Sequence, residues 1–245
     1  MTEKPEEIVD TPPIHCLLNI YNDYSTVGLA VNSLRDYVNS FIVADGAYQK
    51  YFENYKKYEP DVKPWSTDGS IEILRAIPQV RDKLKIIECP DGEPWENQCI
   101  KRTALLDAVP EGEWFIVLDS DEMVYGEPKD AFRHIRASGC ICGCMPMYTP
   151  GLDAQGFWPV WHPRVFLKLN GMNYDRKHWL LRDEHNRVIE KSYPNQWTDF
   201  MVLVHLKVFR GGKRLMPHFG YMQMMSVDGW LEPMKKPQYF NIKNE

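Results

Sequence analysis

The stretch "EWFIVLDSDEMVYG", residues 113 to 126, joins an apolar run to a group of carboxylates. Residues 114 to 118 are all apolar, which is typical of a strand buried on both faces of a sheet. Asp119, Ser120, Asp121 and Glu122 follow this run directly. The sequence thus predicts a buried strand that ends in three carboxylates.

Apolar runs and helical patterns alternate through the first half of the chain. Strands are predicted at "IHCLLNI" (14–20), "SFIVA" (40–44), "LKIIEC" (84–89) and "WFIVL" (114–118), with helices at "TVGLAVNSL" (26–34), "DGSIEILRAI" (68–77) and "NQCIKRTALLDAV" (97–109). This alternation predicts an α/β fold with a mostly parallel central sheet flanked by helices. In such folds ligands bind beyond the carboxyl ends of the strands.

Polar residues follow three of the predicted strands. They are Tyr21, Asn22 and Asp23 after the first strand, Asp45 and Gly46 after the second, and the carboxylate group after the fourth. Because parallel strands end at the same edge of a sheet, we expect these residues along one rim.

The other segments are less regular. Residues 47 to 65 predict a short surface helix whose aromatic residues pack inward. In the second half we predict a helix at "EPKDAFRHIRAS", a strand at "CICGCMPMY", a long loop at "TPGLDAQGFWPVWHPR", short strands at "RVFLKL", "HWLL" and "FMVLVHL", and a late helix at "GKRLMPHFGYMQMM". Residues 1 to 12 are expected to form a flexible leader, and residues 13 to 245 a single domain.

Composition and charge exclude several classes of protein. A chain of 245 residues that is 44% hydrophobic is long enough to bury a full core. The net charge of -5 argues against a nucleic acid partner. The chain shows neither a signal peptide core nor a transmembrane run, so a cytoplasmic location is expected. Cys140, Cys142 and Cys144 alternate, which favours one strand face in the core over a metal site.

Two aspartates separated by one residue at a strand end can hold one divalent cation. Mg²⁺ and Mn²⁺ prefer oxygen ligands, and Mg²⁺ is commonly bound by one or two carboxylates together with substrate phosphates. Asp119 and Asp121 are therefore the candidate metal ligands.

The sequence resembles the GT-A fold (Rossmann-like) glycosyltransferases, in particular those of family 2. The resemblance rests on "IYND" (20–23), "VADGAY" (43–48), "STDGS" (66–70), "LDSDE" (118–122) and the helix "NQCIKRTALL" before the fourth strand. It covers the first half of the chain and is thinner beyond about residue 150. Two features depart from the family: its "DDGSTD" is split by residues 47 to 65, and Thr103 stands where it often has Asn.

This resemblance implies transfer of a sugar from a nucleotide diphosphate donor, a UDP- or GDP-sugar, with Mn²⁺ or Mg²⁺ as cofactor. Residues 13 to 125 would bind the donor, and residues 126 to 245 the acceptor, a glycan or another hydroxyl compound. The metal ligands would be Asp119, Asp121 and a histidine, for which His205 is the first choice before His178, His162 and His218. The donor site would comprise Tyr21, Asn22, Asp23, Asp45, Gly46, Lys101, Arg102, Asp119 and Ser120, with Asp45 accepting a hydrogen bond from the base.

An inverting transferase also needs a general base for the acceptor hydroxyl. Asp183 and Glu184 in "LLRDEHN" are the candidates, with Asp153 as a rival. Trp158, Trp161 and Trp179 would offer ring faces to the acceptor sugar.

Two alternatives remain open. A haloacid dehalogenase-type phosphatase also has a D-x-D after an apolar strand, but usually on its first strand and with a later acidic motif that this chain lacks. An inactive nucleotide-sugar binding module would keep the fold and the carboxylates without catalysing transfer.

Overall fold

The computed structural model describes residues 12 to 149, 160 to 175, 177 and 180 to 206. The predicted leader, apart from residue 12, and the predicted late helix lie outside these residues. So do Asp153, Trp158, His178, Trp179 and His218.

Helices separate the described strands in the first half of the chain as far as β4, as predicted. The order is β1 (Ile14–Ile20), α1 (Tyr24–Asn32), β2 (Ser40–Asp45), α2 (Gln49–Tyr55), α3 (Ser70–Ala76), α4 (Pro78–Arg81), β3 (Leu84–Ile87), α5 (Gln98–Asp107) and β4 (Trp114–Asp119). It continues with β5 (Glu122–Gly126), α6 (Pro128–Ala137), β6 (Cys142–Tyr148), β7 (Val160–Leu167), β8 (Asn173–Tyr174), β9 (Leu181–Arg182), α7 (Ile189–Ser192), β10 (Asn195–Trp197) and β11 (Met201–His205).

Nine of the strands described form one sheet. Its order is β3-β2-β1-β4-β7-β6-β11-β5, and β10 pairs with β6. Strands β3, β2, β1 and β4 are parallel neighbours, whereas β7 and β5 are antiparallel to their neighbours. The prediction of an α/β fold with a mostly parallel sheet flanked by helices is confirmed.

The sheet separates two apolar cores, because successive side chains of a strand point to opposite faces. In β4, Trp114, Ile116 and Leu118 belong to one core, and Phe115 and Val117 to the other. The second core also contains residues of α5, β8, β9 and α7. Five consecutive apolar residues therefore bury both sides of the strand that carries the carboxylates.

Several details differ from the sequence predictions. Strand β5 was not predicted, and β7 begins at Val160, inside the predicted long loop. Residues 47 to 65 do contain a short helix, α2, and its inward aromatic residues pack against Tyr21 in a separate small cluster. Cys142 and Cys144 are buried in the second core. None of the described helices combines the length and the hydrophobicity that crossing a membrane requires.

Candidate functional site

The carboxyl ends of β1, β2 and β4 lie at one rim of the sheet. Ile20 pairs with Asp45, and Asn19 pairs with Asp119, so the three strands end level with one another. Strand β11 runs in the same direction as β4, because two antiparallel pairings and one parallel pairing separate them. Its last residue, His205, therefore lies at the same rim.

Asp119 is the first carboxylate of the D-x-D stretch and is partly exposed. Its Oδ1 accepts a hydrogen bond from Arg102 Nη2 of α5 at 2.5 Å. The Arg102 side chain is buried, with 5% of its surface exposed, whereas 29% of the Asp119 side chain is exposed. Arg102 thus holds a positive charge directly beside the rim, as an anionic ligand would require.

Asp121 lies beside the predicted histidine. Its Oδ2 is 3.0 Å from His205 Nε2, and its backbone carbonyl accepts a hydrogen bond from the amide of Leu206. Burial lowers the pKa of His205, but its hydrogen bond to Asp121 and the nearby carboxylates outweigh this, so the pKa is raised. Asp121 itself is 1% exposed, as is Ser120 between the two aspartates.

These atoms fit one hard divalent cation in part. Two neighbouring ligands of an octahedral Mg²⁺ lie about 3 Å apart when each is about 2.1 Å from the ion, and Asp121 Oδ2 and His205 Nε2 have that separation. Among the described residues, no three His, Cys, Asp or Glu side chains form a cluster that would hold a metal alone. Asp121 and His205 would thus supply two ligands of such an ion, whereas Asp119, the other predicted ligand, is paired with Arg102.

Glu122, the third carboxylate, is turned inward. Its Oε1 accepts a hydrogen bond from Arg164 Nη2 of β7 at 2.5 Å, and its Oε2 accepts one from the Asp119 amide at 2.9 Å. Burial raises the pKa of Glu122 to about 7, although Arg164 opposes this effect. Glu122 therefore fixes the turn that carries Asp119 and Asp121.

Asp45 lies at the end of β2 and binds the split part of the predicted motif. Its two oxygens accept hydrogen bonds from Ser66 Oγ at 2.6 Å and from the Ser66 amide at 3.0 Å. Its backbone carbonyl accepts one from Trp95 Nε1 at 2.7 Å. The fold therefore brings "ADG" and "STDGS" together again, although residues 47 to 65 separate them in sequence.

Asn22 and Asp23 join the same segment to β1. The Asn22 amide donates to Ser66 Oγ at 2.8 Å, and Asn22 Oδ1 accepts from the Thr67 amide at 2.9 Å. The Asp23 amide donates to Ser70 Oγ at 2.7 Å. Tyr21 is buried, and its hydroxyl donates to the carbonyl of Lys63 at 2.7 Å. These residues build the wall of the rim, and Asn22 is the more exposed of them.

Lys101 lies beneath the rim rather than on it. It is 1% exposed, and its Nζ donates to the carbonyls of Ile20, at 2.7 Å, and Gly46. Burial lowers its pKa to about 7, although Asp45 opposes the effect. Lys101 thus ties the ends of β1 and β2 together, while Arg102 faces the cleft beside Asp119.

A cleft of about 440 Å³ opens beside Asp119, on the sheet face that α5 covers. Its lining combines polar and apolar side chains. These are Arg102, Val117, Asp119, His162, Pro163, Arg164, Phe166, Tyr174, Leu181 and Glu190. Burial, Arg164 and His205 lower the pKa of His162 to about 4, so its imidazole is neutral at pH 7.

The two predicted general bases have different surroundings. Asp183 is 2% exposed and accepts hydrogen bonds from the His185 and Arg187 amides, Arg187 Nε and the Tyr193 hydroxyl. Burial would raise its pKa, but these hydrogen bonds hold the pKa well below its ordinary value. Such an acid is a poor proton acceptor near neutral pH. The neighbouring Glu184 side chain is 54% exposed.

Trp161 is the one predicted acceptor-platform residue that the structure describes. Its ring lies 5.0 Å from that of Trp197, and the two planes are inclined by 55°. Trp161 packs against the second core, and Trp197 is 54% exposed.

Arg164, Tyr174 and Glu190 were not among the predicted site residues. Each lines the cleft, but each comes from a separate short element in the second half of the chain. For Arg164 the only local signal was a basic residue within the apolar stretch "HPRVF". An arginine that is buried in a strand is usually paired with a carboxylate. No local pattern indicates Tyr174 or Glu190.

The fold and its rim define an α/β protein of the GT-A type. A crystal structure of S. aureus TarS is similar over 88% of this chain and 39% of that chain, with a TM-score of 0.52 and 14% identity. A structure of S. aureus TarS 1-349 covers 57% of this chain and 36% of that one, with a TM-score of 0.42 and 21% identity. At this identity the similarity shows the fold alone, and the chain spans less than half the length of either. No family model and no curated protein matches the sequence.

Proposed function

We propose that the chain is a metal-dependent glycosyltransferase that moves a sugar from a UDP- or GDP-sugar to an acceptor hydroxyl with inversion. The observation that carries this proposal is the contact between Asp121 and His205 at the carboxyl edge of the sheet. A carboxylate from the turn between β4 and β5 and an imidazole from the end of β11 meet there beside Asp119 and Arg102. The fold similarity to TarS, a family 2 glycosyltransferase, supports it.

The donor would lie along the rim. Asn22 and Asp45 lie at the end of the rim formed by β1 and β2, where the base would bind. Asp119 and Arg102 lie at the end formed by β4. Each Asp45 oxygen accepts one hydrogen bond from Ser66, and a carboxylate oxygen has a second lone pair for a base N–H. The rim thus offers hydrogen-bond acceptors at one end and charged groups at the other.

The chemistry needs positive charge where the diphosphate leaves. Mn²⁺ or Mg²⁺, when bound, would stabilise the negative charge of the leaving diphosphate. Arg102 is fixed beside Asp119 and would contribute a second positive charge without reorganisation. The buried turn that Glu122 holds keeps Asp119 and Asp121 in place during the reaction.

A calorimetric titration of UDP and of GDP, with and without Mn²⁺, tests this proposal. We expect one nucleotide to bind with Mn²⁺, and Asp121→Ala to weaken Mn²⁺-dependent binding at least about 10- to 100-fold, the range seen when metal sites lose a supporting group. Asp82→Ala, at an exposed ion pair remote from the rim, is the matched control.

Other outcomes would contradict the proposal. Nucleotide affinity that needs no Mn²⁺ and survives Asp121→Ala would exclude the metal site. Tight Mn²⁺-dependent binding without release of sugar from any of UDP-glucose, UDP-N-acetylglucosamine, UDP-galactose or GDP-mannose would indicate an inactive binding module.

A further inference from the structure

Three of the residues that line the cleft beside Asp119 carry a polar atom that the described residues do not satisfy. Glu190 Oε2, Arg102 Nε and Arg164 Nε are buried and have no hydrogen-bond partner there. All three residues line the cleft. Since an unsatisfied buried polar atom costs free energy, this lining favours a ligand that both donates and accepts hydrogen bonds.

The charges in the cleft favour a neutral ligand. Arg102 is paired with Asp119 at the end of the cleft where the diphosphate would leave, and Arg164 is paired with Glu122. His162 is neutral at pH 7 because of its lowered pKa. Among the lining residues this leaves the Glu190 carboxylate without a cationic partner, and a second anion would be repelled.

Apolar surface accompanies these polar atoms. Val117, Phe166 and Leu181 line the cleft and belong to the second core. Trp161 packs against that same core, and its partner Trp197 presents an exposed ring. Sugar rings combine hydroxyl groups with apolar faces, and the apolar faces pack well against aromatic rings.

We propose that this cleft binds the acceptor, that the acceptor is a neutral carbohydrate, and that Glu190 accepts the proton of its reacting hydroxyl. The proposal rests on the function proposed above and names its acceptor class and general base. Trp161 and Trp197 would contact the part of the acceptor beyond the reacting sugar.

Glu190 suits this role better than the two carboxylates that the sequence favoured. Asp183 is bound by four donors, and Glu184 is exposed to water outside the cleft lining. Burial raises the pKa of Glu190, although a backbone hydrogen bond, Lys191 and Arg182 oppose the effect. A carboxylate with a raised pKa is a stronger proton acceptor near neutral pH.

The step conserves atoms and electrons. Glu190 takes the proton of the acceptor hydroxyl while the hydroxyl oxygen forms a bond to the anomeric carbon. The bond between that carbon and the diphosphate oxygen breaks, and its electron pair leaves with the diphosphate. The proton then passes from Glu190 to solvent.

Hydrolysis of the donor provides a test that needs no known acceptor, because water can occupy the cleft. Release of UDP or GDP from the four sugar nucleotides named above is measured for wild type, Glu190→Gln, Glu184→Gln and Glu127→Gln. Glu127 is exposed at the start of α6, outside the cleft lining, and serves as the matched control. We expect Glu190→Gln to lower the hydrolysis rate at least about 100-fold and to leave Mn²⁺-dependent nucleotide affinity within about twofold of wild type.

A loss of hydrolysis in Glu184→Gln but not in Glu190→Gln would overturn the assignment of the base. Equal rates in all variants would overturn it as well. If wild type neither binds nor hydrolyses any sugar nucleotide, the proposed function itself fails, which is a different result. Unchanged nucleotide affinity in Glu190→Gln shows that a lost rate does not come from unfolding.

The carbohydrate class is tested with a radiolabelled donor and a mixture of maltotriose, chitotriose, cellotriose and a casein hydrolysate. We expect label in the oligosaccharide fraction, and at least a fivefold rise in the acceptor KM for Trp197→Ala with little change in donor KM. Label in the peptide fraction only, or no label in carbohydrate while hydrolysis is intact, would overturn this class.

Discussion

Replacing Glu122 by alanine would remove the buried ion pair that holds the D-x-D turn. The change breaks the contact with Arg164 Nη2 at 2.5 Å and the hydrogen bond from the Asp119 amide at 2.9 Å. Breaking one partner of a buried pair costs about 3–5 kcal/mol. The Arg164 side chain is 15% exposed and can reach some water, which favours the lower end. Adding about 1 kcal/mol for the amide hydrogen bond gives an expected loss of about 4 kcal/mol.

The assay is urea unfolding followed by circular dichroism at about pH 8, where Glu122, with its pKa of about 7, is charged. Asp82→Ala is the control, because its pair with Arg81 is also a direct ion pair, at 2.9 Å, but both side chains are more than half exposed. We expect this control to lose less than about 1 kcal/mol. If Glu122→Ala loses no more than the control does, Glu122 does not hold the turn as inferred.

The remaining predictions concern the ends of β1 and β2. Burial lowers the pKa of Lys101 to about 7 in the folded protein. Between about pH 7 and the ordinary pKa of lysine, the Lys101 amine is therefore mostly neutral in the folded protein but protonated in the unfolded chain. The free energy of unfolding should therefore rise from about pH 7 to about pH 10. In urea titrations Lys101→Met should lack this rise. An identical dependence of the unfolding free energy on pH in both proteins would refute the prediction. Gly46→Ala should cost about 2–5 kcal/mol, since φ is +107° and the added Cβ would lie 2.0 Å from Cys89 Sγ. Gly112→Ala, with φ +81° and no atom within 4 Å, should lose only about 1–2 kcal/mol in the same unfolding assay; equal losses would exclude the clash.

Much of the fold could be predicted because its signals are local. Each strand of the parallel half is a mostly apolar run with polar residues at its end, and these runs correspond to β1, β2, β3 and β4. The meeting of Asp45 with Ser66 could be expected from the resemblance, although 20 residues lie between them. The tight hydrogen bonds of Asp183 also have a local signal, since Asp followed by Asn186 with positive φ is typical of a turn.

The antiparallel part could not be predicted in the same way. Strand β5 is short and begins with a charged residue, and its partner β11 comes 75 residues after it, from Gly126 to Met201. The pairing of Glu122 with Arg164 spans 42 residues, and no periodic pattern connects them. The position of Glu190 depends on the packing of α7 against β9 and the second core, which only tertiary contacts define.

The thiol of Cys89 is tightly packed behind Asp45. It contacts the carbonyls of Asp45 and Pro64 at 3.6 and 3.4 Å, and burial raises its pKa to about 11. Since Cys89 is only 9% exposed, an alkylating reagent should label this sulfur faster when the segment behind Asp45 opens. The rate at which Cys89 is labelled, measured by mass spectrometry, would therefore report how often this segment opens and whether a bound ligand keeps it closed.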